Sequence, residues 1–552
     1  MATMPIPRRG VGKGVIALLQ QHVQSIKCHQ SNCSLHSSTC QRMAETVSAE
    51  MSGVKAYHEV PGPKPLPVIG NVWRFLPYIG EYYGMGIMDI HRKLHAEYGD
   101  IVSLGGIPGR NDLLFVFRPE EAETTLRNEG PWPVRAGMQA MQYYRQVLRK
   151  DFYEDGGGLL IENGENWMKA RSKANQPMLQ PRVSKQYIKP IAAVAQEFVE
   201  KMKTLRNDKQ EMPDDFINEL FKWSLESIAF IALDKRLGCL APNLPEDSEP
   251  QRMIHAVGDF FDNIFALEVG PPIWKVYPTA AWKKFVKALD VFLEVSVKYV
   301  DEAIQHSKER KEKGMDDNEP SVLERLLARS DQKSACIMAQ DMMFGGIDTT
   351  SYSVATALYF IAKNQVKQEI LFEELKRNLP DKNDEITEER LENMKYLKAC
   401  LKESARCSPI LAGNLRTAVK DTVLCNYKIP KGTWVLMPHT ISRTSEEFFP
   451  MSDKYIPERW LKHRPTESTA GSAEDFDIVS KGKRNPFAFL PFGFGPRSCI
   501  GRRFAELEME ILLAKIIRNF HIEYNYGEMT YVSMILTTPK DPLRFKVSER
   551  TL

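Results

Sequence analysis

Phe492-Gly493-Phe494-Gly495-Pro496-Arg497-Ser498-Cys499-Ile500-Gly501 places one cysteine in a glycine-braced loop directly ahead of an apolar-periodic run. Phe504, Leu507, Met509, Leu512 and Leu513 recur at the spacing of a buried helix, over about residues 501–518. Three glycines within ten residues permit torsions and close approaches that a Cβ would forbid. A thiolate at a helix start gains from the unpaired N–H groups and the positive helix end, and Arg497 adds a cation two residues earlier. The stretch reads as a metal-binding cysteine, open to several metals, against the alternative of a buried, inert thiol.

The 552-residue chain, 43% hydrophobic and 26% charged, has the composition of an ordinary globular protein able to bury a large core. Its nine cysteines are an odd number without CxxC pairing, which argues against a disulfide scaffold, a zinc site or an iron–sulfur site, and implies a reducing compartment. The first 44 residues carry Arg8, Arg9, Lys13, Lys27 and Arg42 but no acid, around a short apolar patch at 15–19. That is the composition of a mitochondrial transit peptide, expected over 1–43, and it lacks the apolar length of a secretory signal or membrane anchor. Without these five cations the formal net charge falls from +3 to −2, so nucleic acid is not a suggested partner.

Pro61-Gly62-Pro63-Lys64-Pro65-Leu66-Pro67 forms a stiff stretch within a proline-rich lead-in over 44–70, and the catalytic body is expected over 71–552. Apolar residues every three or four positions predict helices around 188–204, 283–306 and 335–363 as well as 501–518. Short β-like pieces at 101–104, 113–117 and 433–437 suggest a minor sheet, and 308–320 and 463–485 read as polar surface loops. The fold class is mainly α with small β-sheets.

Three further patterns stand out. Gly345-Gly346-Ile347-Asp348-Thr349-Thr350 lies mid-way along an apolar helix, where each glycine costs about 1 kcal/mol and so asks for a reason. Glu403 and Arg406 are spaced i,i+3 and face one another, with Pro457-Glu458-Arg459-Trp460 downstream. Lys398 and Lys402, spaced i,i+4, project from one helical face.

Taken together these stretches resemble the cytochrome P450 family, whose heme signature FxxGxRxCxG is matched at every fixed position by residues 492–501. The resemblance implies the P450 fold, with heme b between the oxygen-activating helix and the cysteine-loop helix, and Cys499 as axial thiolate. The family's (A/G)GxDT(T/S) motif implies that the helix opens over the iron and that Asp348 and Thr349 deliver protons. Its ExxR and PER-type motifs imply a buried structural triad of Glu403, Arg406 and Arg459. Its WxxxR helix, matched by Trp167 and Arg171, implies contacts to the two heme propionates, joined by Arg416 and Arg497.

The chain has no FMN or dinucleotide fingerprint, so electrons must come from another protein. In the mitochondrial branch of the family, lysines at the positions of Lys398 and Lys402 bind an acidic [2Fe–2S] ferredoxin, reduced by an NADPH-dependent reductase. Arg502 and Arg503 would extend that basic patch. By family position, 131–160, 230–270, 410–415 and 533–536 would line a pocket for an apolar small molecule, steroid-like or xenobiotic. The 499–513 and 536–545 stretches look like arthropod mitochondrial members, which implies peripheral association with the inner membrane on the matrix side. A heme-binding sensor or carrier, or a heme–thiolate isomerase needing no external electrons, are the alternative functions.

Overall fold

The computed structural model describes residues 53–154, 156–313 and 319–550. The leader expected over 1–43, and the first part of the lead-in, lie outside the described residues. The expected helices are present as Ile188–Leu205, Ala280–Glu312, Gln332–Lys363 and Arg502–Asn519. The 32-residue Gln332–Lys363 helix runs through the core and is buried along most of its length. It starts at Asp331, whose carboxylate accepts the Ser334 N–H at 2.8 Å, an N-cap that satisfies one of the orphan donors.

Two helices converge on Phe344 of this central rod, and a third packs beside it at Gly346. Phe260 of the Glu249–Val269 helix and Phe292 of the Ala280–Glu312 helix meet its ring edge-on, with centroids 4.7 and 5.2 Å away. The Phe216–Leu233 helix packs closer still. A Cβ on Gly346 would lie 2.8 Å from Ile228 Cγ1, and the Ser224 hydroxyl donates to the Gly346 carbonyl at 3.0 Å. Gly345 has the opposite surroundings: a Cβ there would meet nothing within 4 Å, although Phe344 and Ile347 are buried.

The β-structure is minor, as the short runs predict. One sheet orders its strands Ile101–Leu104, Leu113–Val116, Trp434–Pro438, Gly413–Thr417, with antiparallel, parallel and antiparallel pairings and Arg416 opposite Val435. Three two-stranded pairs complete it. One of them, Thr422–Leu424 with Tyr427–Ile429, turns through Cys425 and Asn426, both left-handed.

The 463–485 stretch is not wholly loop. Helix Ala473–Val479 sits within it, capped by the Ser472 hydroxyl accepting from Asp475 N–H at 3.2 Å. Seven residues are too few to display a helical period, which is why sequence pattern missed it. Asp475 is tied to Lys367, which also reaches the buried Glu458 at 2.9 Å.

The two glycines predict opposite outcomes. Gly345→Ala should raise the thermal or denaturant midpoint, worth roughly 0.5–1 kcal/mol from the lost backbone entropy of the unfolded chain. Gly346→Ala should lower it by about 1–3 kcal/mol through overpacking, and Ile228→Ala in the same chain should recover part of that loss. Equal shifts for the two alanines would remove this account of the helix contact.

Candidate heme site

The Cys499 loop is held by its own backbone and by the Arg171 and Arg416 side chains from elsewhere. Cys499 N–H donates to the Phe492 carbonyl at 2.8 Å and Ser498 N–H to the Gly495 carbonyl at 3.0 Å. Gly493 and Gly495 take φ of 70° and 74°, and a Cβ on either would crowd Asn414 Oδ1 or Glu129 Oε1 at 3.0 and 2.6 Å. Asn414 is itself held by His439 at 3.0 Å, and burial pulls that imidazole down to about 4, so it stays neutral. Arg171 Nη2 donates to the Ser498 carbonyl, 2.9 Å away and adjacent to the cysteine.

Cys499 does not sit on the helix itself. The helix begins at Arg502 behind Gly501, three residues on, and burial raises the Cys499 thiol pKa despite the Gly501 N–H and the Arg171 cation. The expected lowering of the thiol pKa by the helix end is therefore corrected: desolvation outweighs it. Cys499 is nonetheless exposed while surrounded by protein on the longer scale that sets charge solvation.

Beside the loop lies a nest of cations. Arg416 forms a buried ion pair with Glu129 and donates to the Phe494 carbonyl at 3.3 Å. Arg497 donates to the Pro133 carbonyl at 3.1 Å and to Asn163 Oδ1 at 2.8 Å, with its guanidinium 4.4 Å over the Trp167 ring. Arg135 donates to the Leu160 carbonyl at 2.6 Å. Burial, with repulsion from Arg416, lowers Arg135 to about 10; burial, with repulsion from Arg135 and Arg416, lowers Arg497 to about 9. Asp341, the other nearby acid, is taken by Arg145 at 2.7 Å. Among the described residues only Arg416 of these three guanidinium groups has a carboxylate partner, Glu129, leaving a surplus of positive charge that a group carrying two carboxylates would neutralise. The donor set fits heme on this count as well as on the thiol.

Sequence pattern found Trp167, Arg171, Arg416 and Arg497. It missed Arg135 and Glu129, which stand in irregular segments flanking Trp132-Pro133 with no motif spacing to mark them. Arg171, expected at a propionate, holds the loop backbone through Nη2.

The structural triad is assembled as expected. Glu403 and Arg406 are both fully buried and meet bidentately, at 2.9 and 2.7 Å, while Arg459 Nε donates to the same carboxylate at 3.0 Å. Two donors were not read from sequence: Trp460 Nε1 at 2.9 Å and Ile456 N–H at 3.0 Å. Arg406 Nη1 donates onward to the Arg443 carbonyl at 2.9 Å, and the neighbouring Ser442 hydroxyl to the Ala488 carbonyl at 2.6 Å, which carries this scaffold to the base of the cysteine loop.

The Gln332–Lys363 helix is uninterrupted through its glycines, so the expected opening of its backbone is not present. The Thr349 hydroxyl donates to the Gly345 carbonyl at 2.7 Å, four residues back, and the opening is instead the missing side chain at Gly345. Asp348 is buried, and among the described residues Oδ1 has no hydrogen-bond partner and the carboxyl no ion-pair partner; burial and the nearby Asp262 push it up to about 7.

The cytochrome P450 family model matches residues 60–547. This chain belongs to the cytochrome P450 family. It is similar to a protein of Drosophila melanogaster named probable cytochrome P450 301a1, mitochondrial, at 39% identity over 95% of this chain and 94% of the relative. It resembles probable cytochrome P450 49a1 of the same fly at 39%, over 92% and 85%. Cytochrome P450 CYP12A2 of Musca domestica is 37% identical over 95% and 97%. The family binds heme through an axial cysteine thiolate and acts as a monooxygenase, with the heme between the oxygen-activating helix and the cysteine loop.

The P450's basic patch is partly neutralised. The Lys395–Cys407 and Arg502–Asn519 helices pack together, and Lys402, Arg502 and Arg503 are exposed. Lys398, however, is half-buried with Glu510 at 3.8 Å, and Arg502 donates to Glu506 at 2.9 Å. Of the expected pocket segments, 410–415 and 533–536 do converge, since Thr537 N–H donates to the Ile410 carbonyl at 2.8 Å. A surface groove of about 390 Å³ between Leu148, Trp282 and Val291 holds none of the site residues above.

Asp348 makes stability depend on pH with a fixed sign. Its folded pKa lies above the unfolded value, so its contribution is fully present below about pH 4 and is lost as pH rises to about 7. Asp348→Asn should therefore stabilise the P450 at pH 8, on the order of a few kcal/mol, and the gain should vanish near pH 4. Unfolding midpoints of both proteins across that range measure it; a gain independent of pH would refute the assignment.

Proposed function

We propose that this P450 hydroxylates an apolar small molecule in the mitochondrial matrix, with electrons from a [2Fe–2S] ferredoxin that an NADPH-dependent reductase supplies. The observation that carries the reading is the accessible Cys499 thiol in a loop whose carbonyls are held from outside by Arg171 and Arg416. In this reading Cys499 is the axial ligand, and Arg135, Arg416 and Arg497 face the two heme carboxylates. Heme, when bound, supplies the oxygen-activating chemistry.

The chain's own residues would then manage protons. Asp348, whose carboxyl is pushed up to about 7 and whose Oδ1 has no partner among the described residues, can take up and give up a proton in the oxygen-activating helix. Thr349 Oγ1 gives its proton to the Gly345 carbonyl at rest, and rotation of that hydroxyl turns it to the open face left by the glycine.

Mitochondrial residence is supported by the names of the relatives and by the basic, acid-free leader. Among the described residues no helix is long and apolar enough to cross a membrane. Exposed apolar side chains nevertheless occur in two groups: Val68 of the lead-in with Tyr78 and Ile79 just after it, and Ile273, Val276 and Tyr277 after the Glu249–Val269 helix. The 105–110 turn links the two groups, with Gly70 against Gly106, and Arg110 donating to the Gly270 carbonyl at 3.0 Å. These groups suit peripheral contact with the inner membrane, from which an apolar substrate would partition.

The decisive spectrum is that of the reduced carbonyl complex. The wild type should show the red-shifted Soret band of thiolate ligation, and Cys499→His should bind heme without it. NADPH-dependent turnover of a lipid panel should require ferredoxin and its reductase. Turnover supported as well by a microsomal diflavin reductase alone would overturn the proposed electron source.

A further inference from the structure

The basic patch carries its own counter-acids, and their placement has a consequence for docking. Glu506 and Glu510 lie i,i+4 on one face of the Arg502–Asn519 helix, where that helix packs against Lys395–Cys407. Glu506 accepts from Arg502, and Glu510 lies 3.8 Å from Lys398 Nζ. Only 15% of the Glu510 side chain and 32% of that of Lys398 is exposed, so this pair is set into the surface rather than waving above it. Among the described residues, Lys402 and Arg503 have no ion-pair partner.

We propose that Glu510 is a positioning residue of the partner surface: it holds Lys398 down against the protein, so that an acidic partner must compete with Glu510 for that cation. This rests on the ferredoxin-docking reading above. A lysine has a long flexible stem and three donors, and its reach depends on what holds its end. Held by Glu510, Lys398 offers an incoming carboxylate part of its charge; released, it extends and the patch gains a full positive charge.

The charged groups acting on Glu510 are Lys398 and Lys402 from the facing helix and Glu506 from its own, and Glu506 is engaged by Arg502. Desolvation, with repulsion from Glu506, pushes the Glu510 carboxyl up to about 7. Glu510 therefore loses its charge as pH falls through neutrality, and Lys398 is released in the same interval. The partner should bind more tightly at pH 6 than at pH 8.

The test measures equilibrium binding of a purified insect mitochondrial [2Fe–2S] ferredoxin to the heme-loaded P450 at low salt, from pH 6 to 8. Glu510→Gln should tighten binding at pH 8 by roughly threefold to tenfold and flatten the pH profile. Lys398→Ala should weaken binding, and adding Glu510→Gln to it should change nothing further. If Lys398→Ala weakens binding while Glu510→Gln alters neither affinity nor pH profile, the inference fails and the docking reading stands. If neither Lys398→Ala nor Lys402→Ala changes affinity, the docking reading itself fails and takes the inference with it. An unchanged heme spectrum in Glu510→Gln verifies that the variant is folded.

Discussion

The Glu403 carboxylate is the constraint on which most of this P450's proximal side depends. It is fully buried and accepts twice from the Nε–Nη2 edge of Arg406, from Arg459, from Trp460 and from the Ile456 backbone. A buried ion pair of this kind adds little net stability over an apolar replacement, but removing one partner leaves a bare charge in low dielectric and costs about 3–5 kcal/mol. Its effect is therefore one of geometry. Every segment that donates to Glu403 is obliged to stay where its donor reaches, and Arg406, Arg443 and Ser442 pass that obligation to the base of the cysteine loop. The same helix is pinned at its other end by Glu374, whose carboxylate accepts the Tyr396 and Leu397 N–H groups at 2.8 and 2.9 Å.

Elsewhere in the molecule, buried charge is left unbalanced. Arg416 is paired with Glu129, whereas among the described residues Arg135, Arg497 and Asp348 have no ion-pair partner. Unpaired buried charge is expensive, and fold stability alone gives no reason to retain it. On the proposed reading, paired charges hold the scaffold and the unpaired groups serve a dianionic cofactor and a mobile proton.

Much of this was legible in the sequence because it is periodic or fixed in spacing. The long helices declared themselves by their apolar period, and the cysteine loop, ExxR pair and glycine-threonine motif by residues a few positions apart. What escaped came from elements with neither property. Arg135 and Glu129 lie in irregular chain, Trp460 reaches Glu403 from a single 3-10 turn, and Ala473–Val479 is too short for a period. Glu510 was hidden for a different reason: its spacing from Glu506 is visible, but only the packing of two helices sets it beneath Lys398. The effect of burial on the Cys499 thiol was likewise invisible, since no local sequence states how much protein will surround a loop.

The adjacent glycines of the central helix also bear on how such a chain can diverge. At 346 a methyl group strikes a neighbouring helix, while at 345 it enters open space. One position is closed to drift unless its neighbour across the interface shrinks in the same lineage; the other is free to accept alanine, with the width of the space above the helix as the trait that selection would see. The tolerance for alanine at only the first place in the family's (A/G)GxDT(T/S) pattern is then a record of helix packing, written by a contact with Ile228 that takes no part in the chemistry.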